Sequence, residues 1–287
     1  MKTKIWMNGK LYSQDKAKIS IFDRSFLYGD AVFETMRGYA GMIFKLDAHL
    51  ARLFSSLKIL KIKHGYTKDR LKEAVYNTLR GNKLKSAYAR LVVTRGEGRF
   101  GIGYKDMFTP NLIIVAKDFE GYPEWMFLKG VSAKVIGVQN EYSVLSNIKS
   151  SNYLNFILAR SDAQGMGYNE AILTNTKGNI TEGATSNIFI VRSDSLITPS
   201  INSGVLPGIT RRVIIDIARK LRLPVREKAV SRRELLSADE VFLTNSLAEV
   251  LPVTKIDGKR VGEGTVGPVT KLLHISYQKQ VIREVLR

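Results

Sequence analysis

Residues 32–37 alternate in polarity: Val32, Glu34 and Met36 share one face, and Phe33, Thr35 and Arg37 the other. That period of two predicts a strand. Gly38 to Gly41 then predict a turn, and Met42-Ile43-Phe44 the returning strand. The spacing changes after that. Leu50, Leu53, Leu57 and Leu60 recur every three or four residues, which predicts an amphipathic helix over 46–60 with Asp47 near its start. A second helix over 67–81 stops at Gly81-Asn82. Residues 88–94 and 111–117 read as buried strands joined by a glycine-rich loop, 95–103. At the N-terminus Ile5, Met7 and Leu11 flank Asn8-Gly9, a hairpin signal.

The pattern breaks over 118–124, where Gly121 and Pro123 stand in a polar stretch. The expected division is a small N-terminal domain 1–119, a linker 120–124 and a larger C-terminal domain 125–287. Beyond the break, short strands near 131–138, 170–174, 179–182, 186–191 and 240–244 alternate with helices over 151–165, 209–222 and 268–285. The fold class read from this order is α+β in two domains.

Composition narrows the function. Of 287 residues, 44 % are hydrophobic and 25 % charged, as in ordinary soluble globular chains. Cysteine is absent, which excludes disulfides and thiolate metal sites and suits a reducing compartment, so a cytoplasmic location is expected. His49, His64 and His274 are scattered, and no metal is expected. The apolar runs are too short for a transmembrane helix, and the first residues carry no apolar core of signal-peptide length, so no membrane partner is expected. The net charge of +19 is spread along the chain without an arginine-rich block or zinc finger. Anionic small substrates account for it as well as nucleic acid does, and no nucleic-acid partner is expected.

One stretch near the middle, Asn147-Ile148-Lys149-Ser150-Ser151-Asn152-Tyr153-Leu154, sets a lysine just before a helix signal, with Ser150 or Ser151 as the expected N-cap. A lysine amine that is desolvated, or set beside another cation, sheds its proton more readily and can condense with a carbonyl. A lone lysine is ordinarily a solvated surface charge, so its company decides. Downstream, Glu182 ends a short strand before Gly183, Ala184, Thr185 and Ser186, where a carboxylate can meet a ligand nitrogen. Ile209 and Thr210 open a helix after Pro207-Gly208, and their N–H groups suit a phosphate. Thr244-Asn245-Ser246-Leu247 leads from a hydrophobic strand into a polar turn, where backbone donors gather. An amine, a carboxylate and a phosphate-accepting helix start are the parts that a pyridoxal phosphate enzyme uses. Spacing alone does not select that cofactor.

These motifs, in this order and over nearly the whole chain, resemble the class IV aminotransferases, the fold type IV pyridoxal phosphate enzymes. The resemblance implies a small N-terminal α+β domain, a larger pseudo-barrel domain and a homodimer with pyridoxal 5'-phosphate between domains. It makes Lys149 the Schiff-base lysine that forms the internal aldimine, Tyr153 the partner of the cofactor's phenolic oxygen and Glu182 that of its pyridine nitrogen. Arg52, in His49-Leu50-Ala51-Arg52-Leu53, matches the phosphate-binding arginine, helped by Ile209, Thr210 and Ser246. On the substrate side, Tyr88-Ala89-Arg90 with Tyr28, Phe33 and Arg37 match the pocket of branched-chain aminotransferases. Two stretches depart from that group: Phe33-Glu34-Thr35-Met36-Arg37 replaces Phe-Glu-Gly-Ile-Arg, and Thr244-Asn245-Ser246-Leu247 replaces Gly-Thr-Ala with a bulkier Leu247. Both, with Thr185-Ser186-Asn187, lean towards aminodeoxychorismate lyases or D-amino acid aminotransferases, and Arg99 could bind a carboxylate from its loop. The expected activity is amino transfer between an amino acid and a 2-oxo acid, with branched-chain-like substrates favoured and the lyase and D-specific reactions as alternatives.

Overall fold

The structure is a computed structural model that describes residues 3–98, 101–103, 108–139 and 144–285. It divides into two compact units, one of Met1–Glu120 with Ile148–Asn152 and Glu284–Arg287, the other of Gly121–Asn147 with Tyr153–Arg283.

The first unit contains β1 (Lys4–Met7), β2 (Lys10–Ser13), α1 (Arg24–Tyr28), β3 (Ala31–Tyr39), β4 (Met42–Ile43), α2 (Leu46–Ile59), α3 (Lys68–Gly81), β5 (Ala87–Thr94) and β6 (Leu112–Asp118). Asn8 and Gly9 both take positive φ, 48° and 96°, so β1 and β2 are joined by the two-residue hairpin turn that Asn-Gly favours. The strands form one antiparallel sheet in the order β2-β1-β6-β5-β3-β4. One face is covered by α2 and α3. Leu50, Leu53 and Leu57 of α2 and Leu71, Val75 and Leu79 of α3 pack there with Val32, Met36, Leu91, Val93 and Ile114 of the sheet.

Strand β3 has a further partner from far along the chain. The Phe33 amide donates to the Lys149 carbonyl at 2.9 Å, the Ser151 amide donates to the Ala31 carbonyl at 2.9 Å, and Val32 bridges Ser150. These bonds place residues 148–152 with the first unit, although the sequence pattern assigns them to the second domain. They also shorten the helix expected over 151–165. Ser150 bridges β3, the Ser151 amide is bonded to it, neither serine caps, and α5 spans Leu154–Gly165 with Tyr153 at its N-cap.

The second unit contains α4 (Glu124–Lys129), β7 (Val131–Gln139), α5, β8 (Glu170–Thr174), β9 (Asn179–Gly183), β10 (Ser186–Arg192), β11 (Ser195–Pro199), α6 (Ile209–Lys220), β12 (Val225–Lys228), β13 (Val230–Ser231), α7 (Arg232–Leu236), β14 (Glu240–Asn245), β15 (Glu249–Ile256), β16 (Lys259–Arg260) and α8 (Pro268–Val285). Strands β10, β14, β15, β7, β8 and β9 neighbour one another in that order, and β9 pairs again with β10. The ring is therefore closed, as the pseudo-barrel expectation requires. Ile172, Ile180, Ile188, Ile190, Leu243 and Val253 meet in its core. The crossover between the parallel strands β7 and β8 is α5, whose Ala159 and Ala163 let it lie close on Ala171 and Leu173. Glu240 caps α8: its carboxylate accepts from the Val269 amide at 3.0 Å and the Thr270 amide at 2.7 Å.

Candidate active site

In the first unit the alternation of β3 sorts chemistry onto two faces. Opposite β5, Phe33 pairs with Val92, Thr35 with Arg90 and Arg37 with Tyr88. Side chains at directly opposed positions share a face, so Phe33, Arg37, Tyr88 and Arg90, all singled out from sequence, are brought together on the face away from α2 and α3. Lys149 joins them. Its amine lies 4.6 Å from the centre of the Phe33 ring, and the Arg90 guanidinium carbon lies 3.7 Å from it. An aromatic face attracts cations, by about 0.5–2 kcal/mol each, and the Phe33 ring is contacted by both side chains. Arg37 lies over the rings of Tyr39 and Phe119 at 4.7 and 5.3 Å, and Lys117 lies over Tyr88 at 5.4 Å.

Glu34 points the other way, to α2. His49 and Arg52 are one turn apart there and therefore share a helix face. The Glu34 carboxylate accepts from Arg52 Nε at 2.8 Å and Nη2 at 2.7 Å, a two-pronged fork, and lies 2.7 Å from His49 Nδ1. Glu34 and His49 are buried. Burial pulls the Glu34 carboxyl upward, but the Arg52 charge and the bonds from Arg52 and His49 outweigh it and hold the group down to about 2. His49 is pushed below the usual imidazole range, first by burial and also by the positive charges of Arg52 and Lys149, against the pull of Glu34. A neutral ring that close to a carboxylate must carry its proton on Nδ1 and donate it. Sequence reading assigned no role to Glu34 or His49. The signal was there: a carboxylate on the core-facing side of a strand, and His and Arg at i, i+3 on the helix that covers it.

Tyr28 ends α1. Its hydroxyl accepts from the Gly101 amide at 3.2 Å and its ring lies under the Arg24 guanidinium at 4.7 Å. Arg99 lies outside the described residues.

In the second unit β9 delivers Glu182, buried, opposite Asn187 of β10. The Glu182 carboxylate accepts from Asn187 Nδ2 at 3.3 Å and from the Leu206 amide at 3.1 Å, and Asn187 also donates to the Leu206 carbonyl at 2.9 Å. The carboxylate and the segment entering α6 are thereby tied together. That helix begins with Ile209 and Thr210 behind Gly208, an N-cap that supplies no side-chain bond to the first turn. Gly208 is needed by space: a Cβ there would stand 1.9 Å from Asn187 Oδ1. Asn187 Cα faces Thr244 on β14, so the turn after β14 adjoins the Glu182 end of the sheet. In that turn Asn245 Oδ1 accepts from the amides of Leu247 and Ala248 at 2.9 and 2.7 Å, which fixes Ser246 and Leu247 between them. Tyr153 stands at the head of α5, its ring tilted on Phe156 at 5.0 Å. Asn187 and Asn245 also went unassigned in the sequence, since neither residue type carries a distinguishing pattern.

Among the described residues no group of three or more His, Asp or Glu side chains is arranged to hold a metal, and no helix is long and apolar enough to cross a membrane.

The profile described as amino-transferase class IV matches residues 31–256. The chain is 40 % identical over 272 residues to a putative branched-chain-amino-acid aminotransferase of Methanocaldococcus jannaschii, covering 94 % of this chain and 93 % of that one. It is 33 % identical over 288 residues to the D-alanine aminotransferase of Bacillus licheniformis, covering 99 % of each. Among solved structures, the branched-chain amino acid aminotransferase of Escherichia coli superposes with a TM-score of 0.93 at 34 % identity, covering 97 % of this chain and 94 % of that one. That of Thermobaculum terrenum in its PLP form superposes with a TM-score of 0.88 at 30 % identity, covering 98 % and 94 %. The chain belongs to the class IV aminotransferases, which are pyridoxal phosphate-dependent transaminases. Each unit taken by itself holds groups whose chemistry suits that cofactor: in the first a lysine amine for an aldehyde and a guanidinium for a phosphate, in the second a helix start without a side-chain cap for a phosphate and a buried carboxylate for a ring nitrogen.

Proposed function

We propose that the enzyme transfers amino groups between branched-chain-like L-amino acids and 2-oxo acids, with Lys149 as the residue that links to pyridoxal phosphate and then moves the substrate's α-proton. One observation carries the reading: the Lys149 amine is held over the Phe33 ring, which Arg90 also contacts, on the strand face that also bears Arg37 and Tyr88. The cofactor, when bound, supplies an electron sink for the carbanion left by proton removal. The chain's own residues bind, orient and carry the proton. Arg52, Ile209, Thr210 and Ser246 take the phosphate, Glu182 the ring nitrogen and Tyr153 the phenolic oxygen. Tyr28, Phe33, Arg37, Tyr88, Arg90 and Leu247 are the substrate-side residues of this reading. The aromatic and aliphatic members of that set suit a branched apolar side chain, and the arginines suit a carboxylate.

A second reading rests on the D-alanine aminotransferase relative, which spans this chain as fully as the branched-chain ones. The test is a half-reaction on the cofactor-loaded protein without an acceptor. L-leucine, L-glutamate and D-alanine are added separately while the visible band is followed to pyridoxamine phosphate. Conversion by L-leucine is expected. Conversion by D-alanine alone would replace the assignment with the D-specific one, and silence with all three would favour the aminodeoxychorismate lyase reaction, assayed next by pyruvate release.

Two broader features belong to the same reading. The protein is a homodimer. Large apolar side chains stand exposed around α1 (Ile21, Phe22, Phe26) and along α5 (Leu154, Ile157, Leu158), where a single chain leaves them in water. Sedimentation equilibrium checks this, and a monomer at micromolar concentration would contradict it. It works in the cytoplasm, where a chain without cysteine needs no oxidising compartment.

A further inference from the structure

We infer that Glu34 and His49 are positioning residues for Arg52: together they set the guanidinium in its phosphate-binding pose before the cofactor arrives. The inference rests on Arg52 being the phosphate anchor.

An arginine side chain carries about 2 kcal/mol of rotamer entropy. Unless that freedom is lost beforehand, ordering the side chain detracts from every anion it binds. Here it is lost in the protein itself. Glu34 lies in the middle of β3, paired on one side to Leu91 of β5 and with its neighbour Phe33 bonded on the other to the Lys149 carbonyl. Its carboxylate therefore sits on a backbone held from both sides. The fork to Arg52 commits two of the five guanidinium N–H donors, Nε and one on Nη2, and fixes the plane of the other three.

His49 completes the arrangement. Its Nδ1–H donation to Oε2, the oxygen that also meets Arg52 Nη2, leaves the carboxylate one rotation, and its buried ring sits on the same helix as Arg52. A purely stabilising role explains this poorly. A buried ion pair is often no better for stability than apolar residues of the same volume, and the surrounding leucines show that this layer accepts apolar groups. What the trio does that leucines could not do is hold a guanidinium in one pose. The same dipeptide thus serves the site from both faces of the strand: Phe33 on the lysine side, Glu34 on the arginine side.

The test compares two ligands that differ only by the phosphate. Full-length protein freed of cofactor is titrated with pyridoxal 5'-phosphate and with pyridoxal, following absorbance, and circular dichroism monitors the fold. In Glu34→Gln the amide presents an N–H to Arg52 or His49 where both need an acceptor. Loss of a charge-assisted bond predicts pyridoxal phosphate affinity down by on the order of tenfold or more, with pyridoxal affinity within about twofold of wild type if only the anchor is loosened. His49→Leu should fall the same way, and His49→Asn, which restores a donor near the Nδ1 position, should recover most of the loss. The histidine pair carries the test if Glu34→Gln does not fold.

Arg52→Gln is the reference. If it too weakens both ligands alike, the phosphate assignment of Arg52 fails. If Arg52→Gln separates the two ligands and the Glu34 and His49 variants do not, the positioning inference fails alone. Unchanged or tighter pyridoxal phosphate binding in a folded Glu34→Gln, or equal losses for both ligands, would overturn it.

Discussion

Lys149 and Phe33 meet twice, once through the backbone and once through the side chain. The Lys149 carbonyl accepts the Phe33 amide at 2.9 Å, and the Lys149 amine lies 4.6 Å from the centre of the Phe33 ring. A flexible four-carbon stem is anchored at its root and steered at its tip by the same neighbour. The Arg90 guanidinium lies closer still to that ring, at 3.7 Å.

Removing the ring should therefore disturb the lysine more than the fold. Phe33→Leu keeps most of the volume and costs less than about 1.5 kcal/mol of stability. Loss of the cation–π contacts, about 0.5–2 kcal/mol, should lower kcat/KM for leucine by roughly two- to thirtyfold. Steady-state kinetics with a melting curve checks this. An unchanged kcat/KM would show that the ring only fills space.

Lys149→Ala should abolish the visible band of the cofactor-loaded protein, and borohydride should no longer fix the cofactor to the chain. Lys149 is only half-buried, so the circular dichroism spectrum should be that of wild type. A borohydride-fixable band that survives the substitution would assign the link to another lysine.

Gly208→Ala tests the tie between Glu182 and the start of α6. The added methyl would stand 1.9 Å from Asn187 Oδ1, and Asn187 cannot move without releasing Glu182 or the Leu206 carbonyl. Overpacking of this kind costs about 1–3 kcal/mol. Activity should fall together with the melting temperature, and Asn187→Ala should relieve part of the stability loss in the double variant. Full additivity of the two substitutions would refute the clash.

The buried Glu34–His49 pair makes stability depend on acid in two windows. Glu34 has its folded pKa depressed from 4.5 to about 2, so its contribution is complete above 4.5 and is lost as pH falls towards 2. The linkage is about 3 kcal/mol for a shift of that size. His49 is also depressed, from 6.5, so below that pH the unfolded chain takes up a proton that the folded ring resists, and stability declines from there downward. Melting temperatures of the cofactor-free protein should fall from about pH 6.5 and again below pH 4.5. His49→Asn should flatten the first decline and leave the second.

Much of this was legible in the sequence because it rests on local periodicity. The two faces of β3 follow from alternation alone, and α2 and α3 from leucines at helical spacing. The elements that the pattern did not reveal, such as β11 to β13, β15 and the short helices α1, α4 and α7, are brief or uniformly buried, and so lack a polar face to mark the period. Lys149 was found by its place before a helix signal, but the helix starts three residues later than Ser151, because pairing with β3 claims the serines first. Glu34 was correctly placed on the face of Val32 and Met36. What a single sequence could not show is that this face meets His49 and Arg52, since nothing in either segment records the other's register.

The placement of Ile148–Asn152 with the first unit also has a genetic consequence. Neither unit is a contiguous block of the coding sequence: a gene fragment that ends at Glu120 carries the strand and the arginine but leaves the lysine behind. Recombination with a relative at that boundary would set a Lys149 segment from one parent against a β3 from the other. Chimaeras that exchange the five-residue strap together with the N-terminal part should assemble the amine correctly, whereas simple two-piece exchanges would put at risk the one contact on which the chemistry depends.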